Sequence, residues 1–266
     1  MPRLGSRFSA LVVGMALQMQ NMQSAFPVRP SHGYRAVRPY QAPAPVLATG
    51  LFAGSSLGDW LRRDAAAFQG LHLPRRPHWP NYQEEIDRAA DSFGPEGQVA
   101  MRIFPQQGRV ADFQQVANEI GRGVSLPQDL MSVIRADICA LGRTVASLCP
   151  WSKTFIVKLE LMGEHSCPRW HRDEYCARAI VSYNLAGTNY ATEDNVDFWE
   201  LDHCGNNDHI IRDASKVRQV GVGDLLFIKG RKFPGARGLV HKSPPLQYAN
   251  NVVLNRLVLK IDVPSL

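Results

Sequence analysis

The sequence predicts an α+β fold, an antiparallel β-sandwich or barrel covered by a helical layer from the N-terminal half. Three observations carry that expectation. After Trp151 the pattern has period two: Phe155, Val157, Leu159 and Leu161 alternate with Ile156, Lys158 and Glu160. Before Pro150 the apolar spacing is helical instead, as in Phe113, Val116, Ala117 and Ile120. The C-terminal strands are short and separated by Gly and Pro, as in antiparallel sandwiches and barrels.

At 266 residues the chain can bury a full core as one domain. Residues 51–266 are expected to form it, with 51–150 as the helical part and 151–266 as the β core. A short capped helix is expected over Asn81–Ala90 and a second over Asp112–Ile120. A third, Leu130–Leu148, places Ile134, Ile138, Leu141 and Val145 on one face, with Pro127 near its start and Pro150 past its end. Trp60, Trp79 and Phe104 are expected to pack this layer. Strands follow at Phe155–Leu161, at Ala179–Leu185 ended by Gly187, at Val220–Lys229 interrupted by Gly221 and Gly223, and at Leu254–Val263.

Residues 1–50 read as an address rather than as fold. Arg3 and Arg7 precede a short apolar run, Ser9–Leu17, then Ala25-Phe26, then an acid-free tract containing Arg and Pro. This order resembles the bipartite signal and transit leaders of complex red-type plastids, which implies a plastid location. A cytoplasmic location, with a later start at Met15, Met19 or Met22, is the alternative. The run Ala10–Leu17 is too short to cross a bilayer, so no membrane association is expected of the mature chain. The net charge is +6, but Arg3, Arg7, Arg29, Arg35 and Arg38 place +5 of it ahead of Asp59, leaving +1 for the rest. A near-neutral body lacks the electrostatic footprint of a nucleic-acid binder. Cys139, Cys149, Cys167, Cys176 and Cys204 are odd in number, scattered and without a CxxC pair, as expected of reduced thiols.

The chemistry concentrates in Cys167-Pro168-Arg169-Trp170-His171-Arg172-Asp173. On extended backbone His171 and Asp173 leave the same face, and Arg172 leaves the other. A second imidazole from a strand alongside completes a facial triad, and His241, in Val240-His241-Lys242-Ser243-Pro244-Pro245, supplies it. Two His and one carboxylate leave one side of an octahedral ion open, the arrangement of non-haem Fe(II) oxygenases. A structural hydrogen bond between His171 and Asp173 is the plainer alternative. A closed Zn site from His165, Cys167, His171 and Cys176 is a third reading, at a spacing that matches no standard finger. His203, Cys204 and His209 lie in a polar segment, Asp194–Asp213, that reads as a surface insertion without a site.

At these residues the chain resembles the domain-of-unknown-function 1826 family. The resemblance rests on Cys167–Asp173, the Tyr183 strand with Gly187-Thr188, Gly223-Asp224 with Lys229-Gly230, Val240–Pro245 and Arg256–Asp262. The order of strand, HxD, Gly-Asp turn, distal His and basic residue is also similar to that of Fe(II)/2-oxoglutarate dioxygenases. That similarity implies a double-stranded β-helix, a jelly-roll or cupin-like barrel. It further implies Fe(II) on His171, Asp173 and His241, and 2-oxoglutarate with its far carboxylate on Arg256 and a hydrogen bond from Tyr183. Lys260 shares the face of Arg256 and is the substitute, while an ion pair of Arg256 with Asp262 is the structural alternative. The implied function is an oxidoreductase that hydroxylates a small-molecule or protein substrate. The alternative is a non-catalytic module of the same fold that binds Zn or Fe.

Overall fold

The computed structural model describes residues 50–104, 112–164 and 166–264, so nearly all of the expected leader lies outside the described residues. In chain order the first strands are β1 (Leu51–Ala53), β2 (Gly70–Leu73) and β3 (Gln98–Ile103), with helix α1 (Gln83–Arg88) between the last two. Helices α2 (Phe113–Gly123) and α3 (Gln128–Leu148) follow. Then come β4 (Phe155–Met162), β5 (Ala177–Ser182), β6 (Asn189–Ala191), α4 (Phe198–Asp202) and β7 (Arg218–Gln219). The chain closes with β8 (Leu225–Lys229), β9 (Val240–Lys242), β10 (Tyr248–Ala249), β11 (Val252–Val253) and β12 (Arg256–Val263).

The alternation in the longest strands decides how these elements stack. Leu257, Leu259, Ile261 and Val263 of β12 are fully buried in one cluster with Ile134, Ile138, Leu141 and Val145 of α3. The intervening Val258 belongs to a second cluster with Ile180, Leu226 and Ile228, and with Val220 and Leu239 from beside the small strands. The large sheet therefore buries apolar side chains on both faces, with helices on one side and a small sheet on the other. The large sheet has seven strands in the order β1-β2-β8-β5-β12-β4-β3, and the small one has three, β7-β6-β9. Helix α2 sits close on α3 because Gly142 has no Cβ; one there would fall 2.3 Å from the Phe113 ring.

The expected α+β class, with its helical layer, is what the structure has. Four details differ. Among the described residues the two sheets do not join into a closed barrel. The segment expected to be helical also carries β1, β2 and β3, and β1 pairs with β2 in parallel. β2 has four residues and β3 alternates weakly, too little for a period to register. The expected strand from Val220 starts only at Leu225, because Gly223 takes φ +84° and Gly221 N–H donates to Asp224 at 2.8 Å, making a turn. Trp60 is buried and Trp79 packs on the core, but Phe104 is 65% exposed, just past the end of β3. All five cysteines are free.

Leu259→Ala should cost about 2–5 kcal/mol in denaturant unfolding, because it leaves a hole between sheet and helices. Val252→Ala, on an exposed strand, should stay within about 0.5 kcal/mol. We also expect a chain begun at Ala48 to be soluble and to melt cooperatively; Leu51 must stay, since it pairs with Gly70.

Candidate metal centre

The two histidines meet through their own backbones. His171 N–H donates to His241 O, and His241 N–H to His171 O, both at 3.0 Å. Such an antiparallel pair sends both side chains to one side, and the ring centroids lie 4.5 Å apart. Asp173, two residues on, reaches the same place. His171, Asp173 and His241 bring one ligand atom each to within 4.8 Å of one another.

Hydrogen bonding assigns the lone pairs. His171 Nδ1 lies 2.8 Å from Arg169 O, and His241 Nδ1 lies 3.0 Å from Leu239 O. A carbonyl only accepts, so each Nδ1 carries the proton and each Nε2 presents a lone pair. These Nε2 atoms face Asp173, His171 at 3.8 Å from Oδ1 and His241 at 3.7 Å from Oδ2, too far to hydrogen bond. Oδ2 is buried and, among the described residues, without a hydrogen-bond partner. Two imidazole lone pairs and an orphaned carboxylate oxygen around one point fit a divalent ion. Burial pushes the His241 imidazole down to about 4, although Asp173 opposes it, so the ring is neutral and ready to ligate. Burial works against ionisation of Asp173, but with the imidazoles neutral the cations Arg178 and Lys260 still favour it, and its carboxyl is held below the usual range.

The large sheet supplies the rest of this face. Arg178 donates to Asp173 Oδ1 at 3.0 Å and to Asp262 at 2.6 Å. Lys158 lies 3.5 Å from Asp262 and 3.9 Å from Glu160, and Glu160 pairs with Lys260. Arg256 stands apart from this ladder. It is buried, and among the described residues it has no carboxylate within 4.0 Å. Its guanidinium donates only to Ala186 O at 3.3 Å and Ser243 Oγ at 3.4 Å. Burial pushes it down to about 10, against the pull of Glu160.

A family model described as "Protein of unknown function (DUF1826)" matches residues 61–262. The chain belongs to the DUF1826 family. The DUF1826 match spans the triad and Arg256. No curated protein matches. Among solved structures the chain is similar to the dioxygenase for auxin oxidation in rice, with 11% identity, TM-score 0.39, and 80% of this chain and 82% of that chain covered. It is likewise similar to dioxygenase for auxin oxidation 1 from Arabidopsis thaliana in complex with 2-oxoglutarate, with 10% identity, TM-score 0.40 and coverages of 81% and 92%. At that level of likeness the centre has to be argued from its own geometry.

Other sequence candidates in this DUF1826 chain fall elsewhere. Tyr183 is a correction: its hydroxyl donates to Asp137 of α3 at 2.9 Å, on the helical side of the sheet, away from the triad. It shares the parity of Val181 and Ala179, which pack on the helices. Lys260 shares the face of Arg256 but is tied to Glu160. Cys176 is buried on the helical side, with its thiol 3.4 Å from Lys232 O, and Cys167 is exposed, 4.0 Å from His171 Nδ1. They do not gather into a closed site, and His165 lies outside the described residues. His203, Cys204 and His209 are exposed and join no metal-ligand cluster among the described residues. Sequence reasoning missed Arg178 and Ser243, and paired Asp262 with Arg256 where the structure pairs it with Arg178; the parity of β5 and β12 places Arg178 and Asp262 on the triad's face.

A divalent ion should therefore stabilise the fold. Adding Mn(II) at about 100 times its Kd should contribute about 2.7 kcal/mol, a melting shift of several degrees. In His241→Ala the shift should vanish. Thermal melting with and without Mn(II), and after chelation, is the check.

Proposed function

We propose that the chain is an Fe(II)/2-oxoglutarate-dependent oxygenase on a double-stranded β-helix, with the seven-stranded and three-stranded sheets as its two walls. The observation that carries the reading is Arg256. A buried guanidinium without an anion is costly, and this one lies on the triad's face, bonded to Ser243, two residues along from His241. Such a cation is a made site for a carboxylate.

In this reading His171, Asp173 and His241 hold the iron, which when bound supplies the oxidising chemistry that couples 2-oxoglutarate and O2 to hydroxylation of a substrate C–H bond. The neutral imidazoles need lose no proton to ligate. Arg256 and the Ser243 hydroxyl orient the far carboxylate of the cosubstrate. Leu185, Pro244, Pro245, Leu246 and Leu254 wall that recess and keep water from the ion pair. Lys260 is held by Glu160 and does not compete for the anion. A cavity of about 790 Å³ opens beside Glu160, Met162 and Lys260 at the β3–β4 edge, but none of its lining residues belongs to the triad, so the substrate is not placed there.

One observation favours the second reading, a non-catalytic Fe or Zn module of the same fold. The recess beside Arg256 measures only about 10 Å³, so a dicarboxylate enters only if its walls move. Anaerobic titration with Fe(II) and then 2-oxoglutarate separates the two. The enzyme gives the visible charge-transfer band of the iron chelate and then makes succinate in air. Iron binding without band or succinate, with any substrate offered, leaves the module.

Paired variants test the assigned roles. Asp173→Ala should lose the ion, because it removes the centre's anionic ligand. Arg256→Ala should keep iron within about 2-fold yet raise the 2-oxoglutarate requirement about 10–100-fold, the worth of a charged hydrogen-bonded pair. Iron content and succinate production for both proteins decide it; loss of iron from Arg256→Ala would assign that residue to the fold.

A further inference from the structure

Asp173 is not symmetric. Its Oδ1 accepts from Arg178 Nη1 at 3.0 Å, whereas Oδ2 is buried and has no hydrogen-bond partner among the described residues. A carboxylate with one oxygen engaged by a guanidinium has less electron density to give from that oxygen, so the free one is the better donor. Arg178 is itself held on several sides. Its Nε donates to Asp262 at 2.6 Å, its guanidinium lies 5.0 Å from the centre of the Tyr175 ring, and its side chain is 13% exposed. Asp262 is fully buried at the register position opposite Arg178 and is balanced by Lys158. The anchor runs from β4 through β12 to β5 and ends on the metal ligand.

We infer that Arg178 is the positioning residue of the metal centre, holding Asp173 so that it offers the ion one oxygen, Oδ2. The inference rests on the metal reading above. A guanidinium is required because Arg178 serves two carboxylates in two directions at once, with Nε on one and Nη1 on the other. Lysine keeps the charge but lacks that fork. Two effects of Arg178 oppose each other. Its charge weakens the pull of Asp173 on a cation, while its hold prevents the carboxylate from rotating away from the point where His171 and His241 aim. The second effect wins here: His171 Nε2 and His241 Nε2 stand 3.8 and 3.7 Å from the two oxygens of Asp173, so the carboxylate is already where the imidazoles aim, and the Arg178 bond to Oδ1 keeps it from turning away.

The test is Mn(II) affinity of the full chain, read by calorimetry and by the electron paramagnetic resonance signal of free Mn(II), together with melting of the metal-free protein. Arg178→Lys should bind Mn(II) about 10–100-fold more weakly, the usual effect of losing a partner behind a ligand. Its metal-free melting should stay cooperative and within a few degrees of wild type, which a merely structural role does not allow alongside lost affinity. Where Arg178→Lys does not melt cooperatively, Tyr175→Leu decides instead. It loosens the guanidinium while keeping both ion pairs and should weaken Mn(II) binding about 2–5-fold, the worth of the cation–π contact. Wild-type affinity in the deciding variant overturns the inference and leaves the metal reading standing. A wild-type protein that binds no Mn(II) overturns both.

Discussion

Strand β12 is buried on both faces, and the rest of the structure answers to that. It lies between β4 and β5, with Leu257, Leu259, Ile261 and Val263 turned to the helices. Its other parity carries Arg256, Lys260 and Asp262 onto the face that the small sheet covers. Each charge there costs several kcal/mol unless a partner meets it. Neighbouring strands meet two of the three: Arg178 and Lys158 answer Asp262, and Glu160 answers Lys260. Arg256 alone is left with neutral oxygens. A ladder so fully balanced makes its one exception informative, and the exception is bonded to Ser243, two residues along from His241.

The helical layer is tied to the same sheet by a second buried carboxylate. Asp137, on the inner face of α3, accepts from both nitrogens of the Arg75 fork, at 2.6 and 2.8 Å, and from Tyr183. Arg75 also donates to Gly223 O, and Asp224 accepts from Arg75 N–H and Gly221 N–H at 2.8 Å each. One network thus fixes α3, the end of β5 and the turn into β8. This is the physical reason Tyr183 is unavailable to a cosubstrate. Moving its hydroxyl to the other face would leave a buried acceptor on Asp137 short of a donor and shift every side chain of β5 to the wrong side.

What was legible in the sequence followed the length of the signal. β4 and β12 run for eight residues each, so their alternation stands out; β6 and β9 have three each and β7 has two, so the small sheet left no trace beyond His241. The pair His171 and Asp173 was readable because i,i+2 spacing puts both on one face. Arg178 was not, because its meaning comes from Asp262, 84 residues away. The placement of Tyr183 was within reach: Val181 and Ala179 share its parity and pack on the helices. The parallel β1–β2 pair at the sheet edge depends on tertiary contacts that no local pattern encodes.

The small sheet also explains why a polar insertion sits where it does. Strands of two and three residues cannot hold two imidazoles and a carboxylate together by pairing alone. Behind them lies a cluster of Trp170, Ala191, Val196, Ile210 and Val240, with Phe198, Leu201 and Ile211 packed on it. Val196, Phe198, Leu201, Ile210 and Ile211 all come from the segment Asp194–Asp213, which ties itself by a bridge between Val196 and Ile211. Trp170 and Val240 are the residues just before His171 and His241. The insertion therefore carries no ligand, yet it clamps both ligand-bearing segments from behind. The Nε2 lone pairs and the Asp173 carboxylate have no proton to share, so an ion is the partner that would join them. Rigid backing of that kind is what a site needs to hold its ligands in place before the ion arrives.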